Sequence, residues 1–171
     1  MQTSNRSPWS LSLVLLAVAS LAAGCASVRR EAYIHNKTLQ HVYRKPIAEV
    51  WPQVRSMLQA RELPLREAPG SYEISTDWHM VGAPSSLGTN YVRYLVRGKQ
   101  PSPVMCAVEI FRQNRVESGP GPVDSRTGQR QNLGTDTTNL RRDVEMEWEL
   151  FQRVDPEGAK ALREEAEKAS K

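Results

Sequence analysis

The chain is poor in the residue patterns that carry chemistry. It has no CxxC and no HExxH, and its three histidines (His35, His41 and His79) stand at no metal-ligand spacing from one another. No metal site is expected. There is no GxSxG, so the nucleophile elbow of the α/β hydrolases is excluded. The glycines between 119 and 134 lack the GK[ST] ending of a phosphate loop and follow no compact strand-to-helix turn, so no nucleotide or other cofactor is expected. The excess of positive charge is also small. The formal net charge is only +4, and no Lys/Arg cluster is interleaved with aromatics on one element, which argues against a nucleic-acid partner. The N-terminal apolar run is short as well. Leu11 to Ala23 spans about 20 Å as a helix, against a hydrocarbon core of about 30 Å.

What is present is a globular composition, 39% hydrophobic and 25% charged in 171 residues, with room for one domain and tails. The first ten residues carry one cation, Arg6, and no acid, and the short apolar run follows, as in a secretory signal peptide. Ala22, Ala23 and Gly24 then lead into Cys25. The stretch Leu21-Ala22-Ala23-Gly24-Cys25 resembles the lipobox of bacterial lipoproteins; its departure is Ala22, where that family most often has leucine. The resemblance implies diacylglycerol on the Cys25 thiol, cleavage before it, and usually acylation of the new N-terminus. Two or more acyl chains give stable anchoring. The open alternative is secretion with Cys25 in a disulfide. By the family's sorting rule, Ala26 in place of an aspartate implies an outer-membrane destination facing the periplasm, in a host with two membranes.

The expected organisation is a signal peptide over 1–24, a lipidated N-terminus and polar tether over 25–37, one domain over 38–154, and a charged helix or tail over 155–171. Residues 39–43 alternate weakly and are expected to form a first strand. Ile47, Val50, Trp51, Val54, Met57 and Leu58 form one helical stripe, with Pro46 in the first turn and Pro52 as its blemish. Period two then predicts three strands. The first puts Tyr72, Ile74, Thr76 and Trp78 on one face. The second turns Val92, Tyr94 and Val96 inward, and the third does the same with Val104, Cys106, Val108 and Ile110. With Cys25 lipidated, Cys106 has no disulfide partner and is expected as a buried free thiol. The Gly- and Pro-rich stretch 117–136 is expected to be a long disordered loop, a functional loop being the alternative. Residues 144–150 alternate Val, Met, Trp and Leu against three glutamates and are expected to form a fourth strand; Asp155 and Pro156 open a last helix.

The resulting fold class is α+β: a four- to five-stranded antiparallel sheet with a helix packed on one face, in the order (β)-α-β-β-β-β-α. The helix carrying "VWPQVRSML", the strand "EISTDW", further antiparallel strands and a closing helix together resemble the helix-grip domains found in a lipoprotein component of the β-barrel assembly machinery, over about residues 45–165. That resemblance implies a structural or partner-binding role at the outer membrane. On the outward sheet face Leu95, Met105 and Phe111 stand among Arg93 and Arg97, a patch suited to an envelope protein partner. The expectation is therefore a lipid-anchored binding or scaffolding module and not an enzyme. The alternatives are an envelope enzyme using Asp77 and His79, and a carrier of a small apolar ligand held between helix and sheet.

Overall fold

The computed structural model describes residues 26–85, 88–117 and 138–171. The signal peptide expected over 1–24, Cys25 and nearly all of the loop expected at 117–136 lie outside them. The fold is α+β. Helix α1 covers 26–39 and α2 Ile47–Gln59, followed by β1 Leu65–Glu67, β2 Glu73–Thr76, β3 His79–Ser85, β4 Gly88–Ser102, β5 Met105–Glu117 and β6 Thr138–Arg142. Helices α3 (Val144–Val154) and α4 (Pro156–Ala169) close the chain. The sheet is antiparallel in the order β1-β2-β4-β5-β6, with β3 also paired to β4.

The expected stripe of α2 is the centre of the core. All six of its residues are buried, together with Ile74, Val96, Cys106, Val108 and Ile110 from the sheet. Pro52 is tolerated because it lies on the exposed side of α2, where the carbonyl it leaves unpaired meets water. The helix crosses β4 at Gly98. A Cβ there would stand 2.8 Å from the Tyr72 Cβ and 3.1 Å from the Trp51 Cζ3, and would run into the Ile47 Cδ1. Glycine at this position is a requirement of the close helix–sheet approach.

Residues 144–150 are not a strand but the first two turns of α3. A helix puts Met146, Glu147, Leu150, Phe151 and Val154 on its buried side. The alternation conceals this stripe because one of its members is a glutamate. Glu147 is only 3% exposed, and its carboxylate takes two hydrogen bonds from Arg142 (Nε 2.8 Å, Nη2 2.7 Å) and one from the Ile110 N–H (2.8 Å). Asp143 caps the helix, its side chain accepting from the Met146 N–H at 3.0 Å. The last helix opens as expected, with Asp155 accepting from the Gly158 N–H.

Three smaller corrections follow from tertiary contacts. Residues 26–37 belong to a helix and not to a tether, because Tyr33 packs on the core and Thr38 is buried. The first strand reduces to one bridge, in which Tyr43 and Cys106 exchange backbone hydrogen bonds of 2.8 and 3.0 Å. Val104 is exposed at the tip of the β4–β5 hairpin, where alternation no longer decides its side. Cys106 itself is buried and free, and burial pushes its thiol pKa up, which keeps the sulfur protonated.

Candidate functional site

The four helices bury their apolar residues with one side of the sheet, in a cluster containing Val96, Cys106, Val108 and Ile110. The other side carries the residues singled out in the sequence. Leu95 stands opposite Phe111, Arg97 opposite Glu109 and Arg93 opposite Gln113 in the β4–β5 ladder. Leu95 and Phe111 are half-buried neighbours at its centre. Arg93 Nε donates to Gln113 Oε1 at 2.5 Å; Arg97 reaches Glu73 at 3.5 Å, and Lys99 reaches Glu109 at 2.7 Å. A shallow pocket beside Leu95 is lined by Arg66, Glu67, Glu73, Ser75 and Arg97. Met105 is 39% exposed, but it sits at the hairpin end opposite Ser102. Six residues of strand, about 20 Å, separate it from Phe111, so it flanks the patch and does not complete it.

The structure brings in a residue the alternation placed inside. Ser75 faces Leu95 and His79 faces Val92, so three residues of the β2–β3 edge stand against two of β4. Asp77 and Trp78 thus form a bulge opposite Arg93. The extra residue reverses the alternation and turns Trp78 from the core side to the outer side, a common use of bulges. Its indole there meets the guanidinium carbons of Arg93 (4.8 Å from the ring centroid) and Arg115 (5.8 Å). Tyr91, opposite both Met80 and Arg115, extends the same surface. A register break at "TDW" is the only signal for this, and strict period two hides it.

Trp51 is core, as expected from its stripe, whereas Trp148 is half-buried on α3 with Arg163 stacked 5.3 Å above it. The glutamates of residues 145–149, expected on a strand, are on α3. Glu147 pairs with Arg142, and Glu149 pairs with Arg61 and Arg153.

Asp77 and His79 do not form a couple. Asp77 is bound by Arg66 at 2.6 Å, while His79 stacks on Tyr94 with ring centroids 6.0 Å apart. The bulge turns His79 to the inner side, opposite Val92. Among the described residues no three His, Cys, Asp or Glu side chains gather closely enough to hold a metal ion, and no helix is long and apolar enough to cross a membrane. At the helix–sheet seam, Ile47, Val50, Val54, Met57 and Leu58 are fully buried, and Gly98 brings α2 close to β4.

No protein-family model matches the chain, and no curated protein shows significant similarity to it.

Proposed function

We propose that the chain is a lipoprotein of the bacterial cell envelope, anchored through Cys25 at the outer membrane, whose domain binds or scaffolds another envelope protein through its outer sheet face. The observation that carries the binding half is the Leu95–Phe111 pair. It lies at the middle of a sheet face away from the helices and is ringed by Arg93, Arg97, Trp78 and Arg115. Apolar and aromatic residues with arginines around them are the composition of protein-binding surfaces. The anchoring half is supported by Arg6, the apolar run and "LAAGC".

The two halves are tested separately. Wild-type protein should take up palmitate, and Cys25→Ser should accumulate as uncleaved precursor without label; label on that variant would sink the anchor. A photo-crosslinking residue in place of Leu95 should give a discrete adduct in native membranes, while the same residue in place of exposed Val42 should not. Identical adduct patterns at both positions would remove the outer face as the binding surface.

A further inference from the structure

Helix α1 changes what a lipid on Cys25 would do. Ala26, the very next residue, is already helical, and so is everything to residue 39. From Arg30 onward this helix is tied to the domain. Arg30 pairs with Glu167 of α4 at 3.7 Å, and Tyr33 packs against the core cluster. Thr38 is buried with its hydroxyl donating to the Ile34 carbonyl at 2.8 Å, and the Leu39 carbonyl accepts from Arg142 Nη1 at 3.3 Å.

We infer that the domain is seated directly on the phospholipid headgroup layer, with the first turn of α1 and the last turn of α4 as its membrane-facing end. This rests on the lipid reading of Cys25. From Ala26 to Tyr33, where the chain joins the core, is only about 10 Å of helix. A flexible linker over 26–37 would instead spread the domain over roughly 20 Å and leave it free to turn. The exposed side chains at this end suit a headgroup boundary. Val28 is 67% exposed, and Arg29 and Lys168 are exposed cations beside the Arg30–Glu167 pair. The consequence for function is orientation: the anchor fixes which way the outer sheet face is presented, as well as keeping the protein at the membrane.

The test uses the full-length mature protein in vesicles of mixed phosphatidylethanolamine and phosphatidylglycerol carrying a headgroup energy acceptor. The donor is a fluorophore on Lys168→Cys; buried Cys106 stays unlabelled. Intact mass first establishes whether Cys25 carries lipid. Transfer should be strong, and a Gly/Ser insert of about twenty residues after Ala26, which adds roughly 25 Å of reach, should lower it about twofold or more. The insert lies before the packed part of α1, so the fold is kept. The pair Arg30→Glu and Tyr33→Ala, which loosens α1, should lower transfer in the same direction. Lipid present with equal transfer in the wild type and the insert variant would overturn the seating and leave the anchor standing. An unmodified Cys25 would overturn both.

Discussion

The two ends of the β4–β5 hairpin share one continuous ladder and are stabilised in different ways. Where α2 and α3 cover it, Val96, Val108 and Ile110 are buried on one side, and Gly98 lets the helix come down onto the strand. Toward the other end the inward side mixes buried Val92 and half-buried Tyr94 with Asn90, Arg112 and Asn114, and Arg112 Nε donates to Asn114 at 3.0 Å. The outward side there carries Tyr91, Arg93, Gln113 and Arg115 around Trp78. Burial of apolar area yields most of the free energy of folding, whereas exposed ion pairs and stacking yield little. The helix-covered end therefore holds the fold, and the far end is left free to specialise its surface.

The sharpest way to break that comparison is to put the same charge on adjacent residues. Val96 is buried and Leu95 faces the other side. Val96→Asp places an unpaired carboxylate in the core at a cost of several kcal/mol, against a total stability of about 5–15 kcal/mol. It should abolish cooperative unfolding. Leu95→Asp should melt close to the wild type and, with the photo-crosslinking residue placed at Phe111 instead, should lose the partner adduct. Equal loss of structure in both variants would mean that the outer side is covered as well.

A second contrast sets a buried ion pair against an exposed one. Glu147→Ala leaves the buried Ile110 N–H unpaired and the part-exposed Arg142 without its partner, and should cost about 2–3 kcal/mol in urea unfolding. Arg97→Ala removes the exposed Arg97–Glu73 pair and should cost about 1 kcal/mol or less. If the two costs are alike, Glu147 is less isolated from solvent than its position implies.

The same glutamate explains why α3 is not legible in the sequence. Both readings bury Met146 and Leu150, but the helical one puts Glu147 inside in place of Val144 and Trp148, and composition argues for the glutamate outside. Its partner Arg142 is five residues away and its third hydrogen-bond donor lies on β5, so nothing local announces the pair. By contrast α2, Val96, Cys106 and Ile110 are readable because their patterns contain no buried charge and no register break. The bulge at Asp77–Trp78 is the other failure, and it moves a tryptophan from the core to the candidate site. Alternation alone finds Leu95, Phe111, Arg93 and Arg97, whereas Trp78, Tyr91 and Arg115 need the pairing register.

Gly98 offers a smaller test of the helix-covered end. Gly98→Ala adds a methyl group where Ile47, Tyr72 and Trp51 already meet the backbone. Overpacking of this kind costs about 1–3 kcal/mol. The corresponding change on the outer side, Ser75→Ala, should change the melting temperature little, since Ser75 is only half-buried. A neutral Gly98→Ala would show that α2 can ride up on the sheet without loss.

The smallest expected effect is a pH dependence at the junction of α3 and the Tyr43 bridge. His41 stacks on Phe151 with centroids 3.7 Å apart and meets the edge of Tyr43 at 4.6 Å; its Nε2 is buried without a hydrogen-bond partner. Burial lowers its pKa below the ordinary value of 6.5, and the Asp155 charge offsets part of that shift. The folded protein then binds this proton less readily than the unfolded chain does. Stability from His41 is therefore fully present above pH 6.5 and is lost as pH falls from there through the lowered folded value. His41→Phe keeps an aromatic ring on Phe151 and removes the titration. Between about pH 7 and pH 5 the wild type should lose more stability than His41→Phe. Parallel pH profiles for the two proteins would show that the imidazole is protonated as easily in the fold as in the unfolded chain.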